Sequence, residues 1–260
     1  MKPIHLVLSL APAALMLSSA VQADSEPGLQ SLGLGLSYSP SPYAGADGSL
    51  SPLPLIHYEG ERLFWRGLTG GVHLIERDGF GLDAIISGRF DGIDADDFGR
   101  DELAENGIDR DLLEDRDDGV DLGLRATWTG AAGELQATAR GDVSGASDGY
   151  ELALEYGYPL HMADATLMPS LTVSYLSDKL ADYYYGTLKE EEARGVSRYR
   201  PGSAVVPGVA LGLSKPLGER WLLNAEASYQ RLPGRITDSP LTEGDSGRVG
   251  VRVGLSWVFD

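Results

Sequence analysis

The densest chemistry in the chain is an acidic run. Asp94, Asp96, Gly99 and Glu105 stand at positions one, three, six and twelve of a calcium-binding loop. Position five is Phe98, which has no ligand atom, so the EF-hand pattern fails on a required ligand. A solvated acidic loop, too charged to pack, is the expectation for residues 91–118, with loose divalent-cation binding left open. Acid–base chemistry needs histidine, and beyond the leader the chain has His57, His73 and His161. His161 has Asp164 nearby, but no serine lies in a nucleophile context and the strand pattern does not converge these groups. Zinc spacing, a P-loop and a dinucleotide fingerprint are absent. No catalytic, cofactor-binding or metal-binding set is therefore expected. Tyr183, Tyr184 and Tyr185 form either a ligand platform in a loop or girdle residues at a strand end, the latter preferred.

The remaining charges fall in a pattern that strands must create. Val249, Val251, Val253, Leu255, Trp257 and Phe259 share one face of the last stretch, while Arg248, Gly250, Arg252, Gly254, Ser256 and Val258 share the other. This period-two alternation is long enough for a tilted strand to cross a bilayer. It recurs at Leu32–Tyr38, Phe80–Phe90, Val120–Trp128, Leu135–Ala139, Tyr150–Tyr158, Leu167–Tyr175, Val205–Leu213 and Trp221–Tyr229. A strand around Pro52–Tyr58 precedes two short ones between Arg62 and Glu76, separated by Thr69-Gly70-Gly71. Opposite the apolar stripes stand Asp83, Arg89, Asp121, Arg125, Glu134, Arg140, Glu151, Glu155, Glu226, Arg248 and Arg252. Facing lipid, such charges cost several kcal/mol each near the midplane; facing a lumen, they can pair or select solutes. These eleven are the candidate lumen-lining residues.

Connections near Arg77, Thr129, Pro159 and Lys215 are short, and those after Tyr43, Asp91, Ser144, Leu176 and Arg231 are mostly longer. Several stripes end in aromatics: Tyr38, Phe90, Trp128, Tyr158, Tyr175, Trp221, Tyr229 and Trp257. Both features predict an all-β, transmembrane, up-and-down antiparallel barrel of about twelve strands, or ten if Arg62–Glu76 does not span. Residues 1–23 read as a secretory signal: Lys2, an apolar run over Ile4–Leu17, and Val21-Gln22-Ala23 at the cleavage site. The barrel domain then occupies residues 24–260. No cysteine is present, so a secreted chain must rely on a large closed sheet rather than disulfides. The net charge of −18 excludes nucleic acid as a partner. Thirteen of the acidic residues lie between Asp91 and Asp118.

Four passages resemble the MipA/OmpV family of Gram-negative outer-membrane barrels. They are Ser41-Pro42-Tyr43-Ala44-Gly45, Leu53-Pro54-Leu55-Ile56-His57-Tyr58, Tyr183-Tyr184-Tyr185-Gly186 with Tyr199-Arg200-Pro201-Gly202, and Asp238-Ser239-Pro240-Leu241. Their order and spacing, rather than any one piece, carry the resemblance. It implies a non-enzymatic barrel in outer-membrane lipid. Founding members are scaffolds that join a periplasmic lytic transglycosylase to a bifunctional murein synthase; others are linked to passage of antibiotics. The family offers no catalytic motif to transfer. The chain departs from it at the end, where Asp260 follows Phe259.

Overall fold

A computed structural model describes residues 28–259; the expected signal, residues 1–23, lies outside them, as does Asp260. Thirteen strands form one antiparallel sheet. They are β1 (Gly28–Ser39), β2 (Ser49–Glu59), β3 (Leu63–Arg66), β4 (Thr69–Arg77), β5 (Phe80–Arg89), β6 (Gly119–Gly130) and β7 (Gly133–Asp142). There follow β8 (Tyr150–Gly157), β9 (Leu160–His161), β10 (Thr166–Leu176), β11 (Ala204–Leu217), β12 (Trp221–Arg231) and β13 (Gly247–Val258). β8 and the two-residue β9 both pair with β10 and act as one stave broken at Tyr158-Pro159. Otherwise each strand pairs with the next, and β13 returns to β1 with Leu34 opposite Leu255. The result is a closed barrel of twelve staves. Closure is forced by the solvent: in hydrocarbon an unpaired backbone amide has nothing else to bond.

Alternation puts the apolar stripes outside. Leu34 is 65 % exposed and Leu171 60 %, while Asp121 on the opposite face is 1 % exposed and Glu151 0 %. A soluble sandwich would show the reverse, so the polarity is that of a membrane barrel. Trp128, Trp221 and Trp257 sit at the end of the short turns, Tyr38 and Tyr229 at the end of the long loops, giving two aromatic belts. Trp221 and Trp257, opposite in register, meet edge to face at 5.1 Å.

The expected pair of short strands exists with shifted bounds. Its turn lies at Gly67-Leu68, where Gly67 takes φ +60°, and Thr69-Gly70-Gly71 begins β4 instead. The hairpin is lopsided. β2 pairs with β1 along its length but with β3 only at His57, Tyr58 and Glu59. In an antiparallel sheet alternate residues aim their backbone groups at opposite neighbours. Ile56 aims its carbonyl at the β3 side, accepting the Gly67 N–H at 2.8 Å. Pro52 and Pro54, in step with Ile56, therefore place their missing N–H on the one stretch of β2 edge without a strand partner among the described residues. Proline is tolerated there and blunts an edge that would otherwise seek a strand.

The orientation of the faces is directly testable. Leu124→Arg, on the lipid face between Ala84 and Ala139, is expected to cost roughly 2–4 kcal/mol of barrel stability. Gln136→Arg, which lies inside opposite Glu155, is expected to cost far less. Urea unfolding of the two variants in detergent micelles measures the difference; equal losses would invert the assignment of faces.

A capped barrel with a charged interior

The long loops all emerge at one end, and there they build the largest apolar cluster of the described residues. The loop after β1 contributes Tyr43 and Ala44. Residues 90–118, with helix α1 (Arg100–Glu105), contribute Ile93, Phe98, Leu103, Ile108 and Leu113. Residues 177–203 carry α2 (Asp178–Tyr185) and α3 (Lys189–Ala193) and add Leu180, Ala181, Tyr184, Tyr185 and Val196. Residues 232–246 carry α4 (Gly234–Thr237) and add Leu232, Ile236 and Leu241. Loops from opposite sides of the ring touch. Tyr43 stacks on Tyr185 at 6.0 Å, Ser239 Oγ donates to the Tyr185 carbonyl at 2.5 Å, and Asn106 Nδ2 donates to the Pro240 carbonyl at 3.0 Å. They therefore span the outer mouth as a cap.

Two sequence expectations are corrected here. The acidic loop packs: its apolar residues recur between the carboxylates and turn inward, while Asp96 and its neighbours stay in water. Phe98, the residue that breaks the calcium pattern, is 1 % exposed and meets Tyr43 edge-on at 5.2 Å. Tyr183, Tyr184 and Tyr185 are neither platform nor girdle. They lie on α2, whose N-cap Ser177 accepts the Leu180 N–H at 3.3 Å, and Tyr184 and Tyr185 are cap core. Burial pushes both phenols up, so they remain neutral. Backbones come close at Gly45, where φ is +65° and a Cβ would lie 2.5 Å from the Gly99 Cα.

At the centre of the cap Arg116 is 2 % exposed. Its guanidinium donates to both Glu191 oxygens at 2.7 and 3.1 Å, and to the carbonyls of Tyr183, Glu114 and Gly186. Glu191, fully buried, also accepts the backbone N–H groups of Glu114 and Leu188. The pair ties residues 90–118 to residues 177–203, and neither residue was among the sequence candidates. The signal available was weak: one of three arginines among thirteen acids.

Beneath the cap lie the eleven candidate residues, each directed away from the lipid stripes. Arg89 reaches Asp121 at 2.6 Å, Glu151 at 3.1 Å and Asp91 at 3.2 Å, and Arg140 reaches Glu151 at 2.7 Å. Burial raises the Asp91 carboxyl although Arg89 and Arg140 oppose the shift, so this group favours the folded state more as pH falls. Arg252 faces Glu226 at 3.4 Å. Arg248 donates to the Pro40 carbonyl, and Glu134 accepts from Thr129. Asp83 and Arg125 are opposite in register, yet Asp83 is taken by His73 at 2.7 Å. The histidines converge more than the strand pattern implied: His73 also meets Glu59 at 2.7 Å, and His57 lies 3.5 Å from the same carboxylate. Glu59, pairing also with Arg66 at 2.9 Å, is the hub. His161 stays apart, beside Thr166.

The fold and this interior define an outer-membrane β-barrel protein with a capped outer mouth. More closely, the chain belongs to the family of the MltA-interacting protein MipA, whose model matches residues 32–259. It is 32 % identical to the Escherichia coli (strain K12) outer membrane protein YiaT over 88 % of this chain and 90 % of that one. It is 30 % identical to the E. coli (strain K12) MltA-interacting protein over 90 % and 92 % of the two chains. Among solved structures, an outer membrane channel from Pseudomonas putida F1 aligns over 94 % of this chain and 100 % of that one, with TM-score 0.45 and 11 % identity.

Removing Arg116 tests the cap. Arg116→Ala strands the Glu191 carboxylate and is expected to cost the cap about 3–5 kcal/mol, seen as faster protease cleavage within residues 90–118 while heat-modifiable gel migration persists. Arg116→Met with Glu191→Met is expected to recover most of the protection.

Proposed function

We propose that this protein is a scaffold without catalysis of its own, anchored in the outer membrane by the barrel and docking murein enzymes at its periplasmic rim. The observation that carries this reading is the cap. A mouth spanned by a packed apolar core, with the Arg89–Asp121–Glu151–Arg140 network on the neighbouring staves β5–β8 beneath it, suits an anchor better than an open conduit. The relative named MltA-interacting protein supports a periplasmic lytic transglycosylase as partner; a bifunctional murein synthase is added from the family resemblance alone. Short turns at 60–62, 78–79, 131–132 and 218–220 leave a low rim on which a globular partner can sit.

The refolded barrel, immobilised in detergent, is expected to retain purified lytic transglycosylase, and the synthase once the transglycosylase is present. Failure to retain the transglycosylase overturns the scaffold reading. Single-channel recording is the complement. The wild type is expected to be silent in planar bilayers. A steady conductance whose ion selectivity shifts in Arg125→Ala/Arg140→Ala would make the protein a channel for small polar solutes instead.

A further inference from the structure

The barrel wall is notched on one side. The β3–β4 hairpin turns at Gly67-Leu68, and its tip is bonded to both flanking strands. The Gly67 N–H donates to the Ile56 carbonyl at 2.8 Å, and the Gly88 N–H to the Leu68 carbonyl at 3.4 Å. Above that level β2 runs on from Leu55 to Ser49, paired with β1 and with no strand of the described residues on its other side. β2 and β5 do not pair with each other. At the hairpin two strands stand between them, so their axes are three strand spacings apart, roughly 14 Å. The notch opens where the hairpin stops, between residues 50–54 of β2 and residues 88–90 at the end of β5. Leu50 is level with Tyr38 of the outer aromatic belt, which puts the notch in the outer half of the membrane.

Its rim is apolar. Leu50 is 60 % exposed, Pro52 and Pro54 follow it on the same face, and on the β5 side the Phe90 ring lies over Gly88, where a Cβ would meet it at 2.5 Å. The rim continues the lipid-facing stripe of β1, because Leu50 pairs with Tyr38, Pro52 with Leu36 and Pro54 with Leu34. The inner face changes character at the same place. Outside the cap core, the buried apolar side chains of the described residues are Leu53, Leu55, Phe64, Ile85, Ala165 and Met168. The first four stand on β2, β3 and β5, the strands that frame the notch. Leu55 fills the space that a Cβ at Gly254 would take, and Phe64 fills the space above Gly71, which lies between Phe64 and Ile85 in register.

We propose that the notch is a lateral portal that takes a hydrocarbon chain of an outer-leaflet lipid, lodged between β2 and β5 with its inner side against Leu53 and Leu55. The rim selects this occupant, since it is an unbroken extension of the surface that lipid already wets. A strand from a second copy or a peptide is selected against. Strand addition draws its affinity from main-chain hydrogen bonds, and Pro52 and Pro54 offer no N–H to a ladder. Their carbonyls remain, but an under-satisfied carbonyl is better tolerated than an orphaned N–H. Water is selected against as well, because the side chains turned inward beside the notch give it nothing to bond. The headgroup stays at the membrane surface under the cap while the chain alone enters. This inference rests on the barrel wall and not on the scaffold reading: loss of enzyme docking leaves it standing, and a closed notch leaves docking standing.

The test is quenching of tryptophan fluorescence by brominated lipid. The full barrel, with Trp65, Trp128, Trp221 and Trp257 replaced by phenylalanine, is refolded into phosphatidylcholine vesicles brominated near the middle of one acyl chain. Into this background goes Leu55→Trp on the inner face beside the notch, Leu34→Trp on the lipid face next to it, or Thr172→Trp on the inner face of β10. Bromine quenches on contact, so Leu55→Trp is expected to lose at least half as much fluorescence as Leu34→Trp, and Thr172→Trp almost none. Should Leu55→Trp lose heat-modifiable migration, Leu53→Trp takes its place. Quenching of the notch variant no stronger than that of Thr172→Trp overturns the proposal. So does quenching that disappears as the protein-to-lipid ratio rises, which would put a second copy over the notch.

Discussion

A sheet in hydrocarbon has no solvent to finish its hydrogen bonds, and every other feature of this molecule answers to that constraint. β13 must meet β1, because an open edge in lipid would leave a row of amides without partners. Closure fixes which face of each strand is inside, and with it the whole distribution of charge. The exception lies above the β3–β4 hairpin, where β2 runs on without a neighbour on that side. There the chain carries Pro52 and Pro54, which remove two of the donors that the edge would have exposed. The barrel meets the same rule twice, by pairing donors where it can and deleting them where it cannot.

Closing a twelve-stave sheet creates a second problem, since its interior is wide and polar. The outer end solves it by building a small globular core from loops. That core follows the ordinary rules of water-soluble packing: apolar side chains inward, helices capped, and a buried ion pair in which each lone pair and each N–H is used. Arg116 and Glu191 illustrate why such a pair survives burial. The desolvation of both charges is offset only because five backbone carbonyl and amide contacts complete the shell besides the salt bridge itself. The acidic residues around it stay in water, which makes the loop look unpackable in the linear chain.

Below the cap Arg89, Arg140 and Arg252 have carboxylate partners, whereas the Arg125 Nε has none. Arg89 and Arg140 bind Asp121 and Glu151 and so tie together the consecutive staves β5, β6, β7 and β8 beneath the mouth. Toward the periplasm, His73 takes Asp83 and Glu59 and so withdraws the carboxylate that register would have given Arg125.

Much of this was legible in the chain. The two-residue period told the outward face from the inward one for Phe80–Phe90, Val120–Trp128 and Val249–Phe259, because strand side chains alternate strictly and lipid tolerates no error in the alternation. Loop lengths told the two ends apart. The family resemblance lay in turn residues, whose identities are dictated locally by backbone geometry. The cap was not legible. Ile93, Phe98, Leu103, Ile108 and Leu113 recur every five residues among thirteen acids, a spacing that matches neither the strand period of two nor the helix period of 3.6, because an irregular core takes its inward directions from contacts between loops far apart in sequence. Nor could alternation tell which carboxylate Arg125 or His73 would hold. Sequence alone determined the strands, their faces and the class of solvent each face meets, since those are properties of neighbouring residues. Partnership among the buried charges, and the closing of the mouth, were decided only by closure of the barrel, which brings together staves and loops that the chain keeps apart.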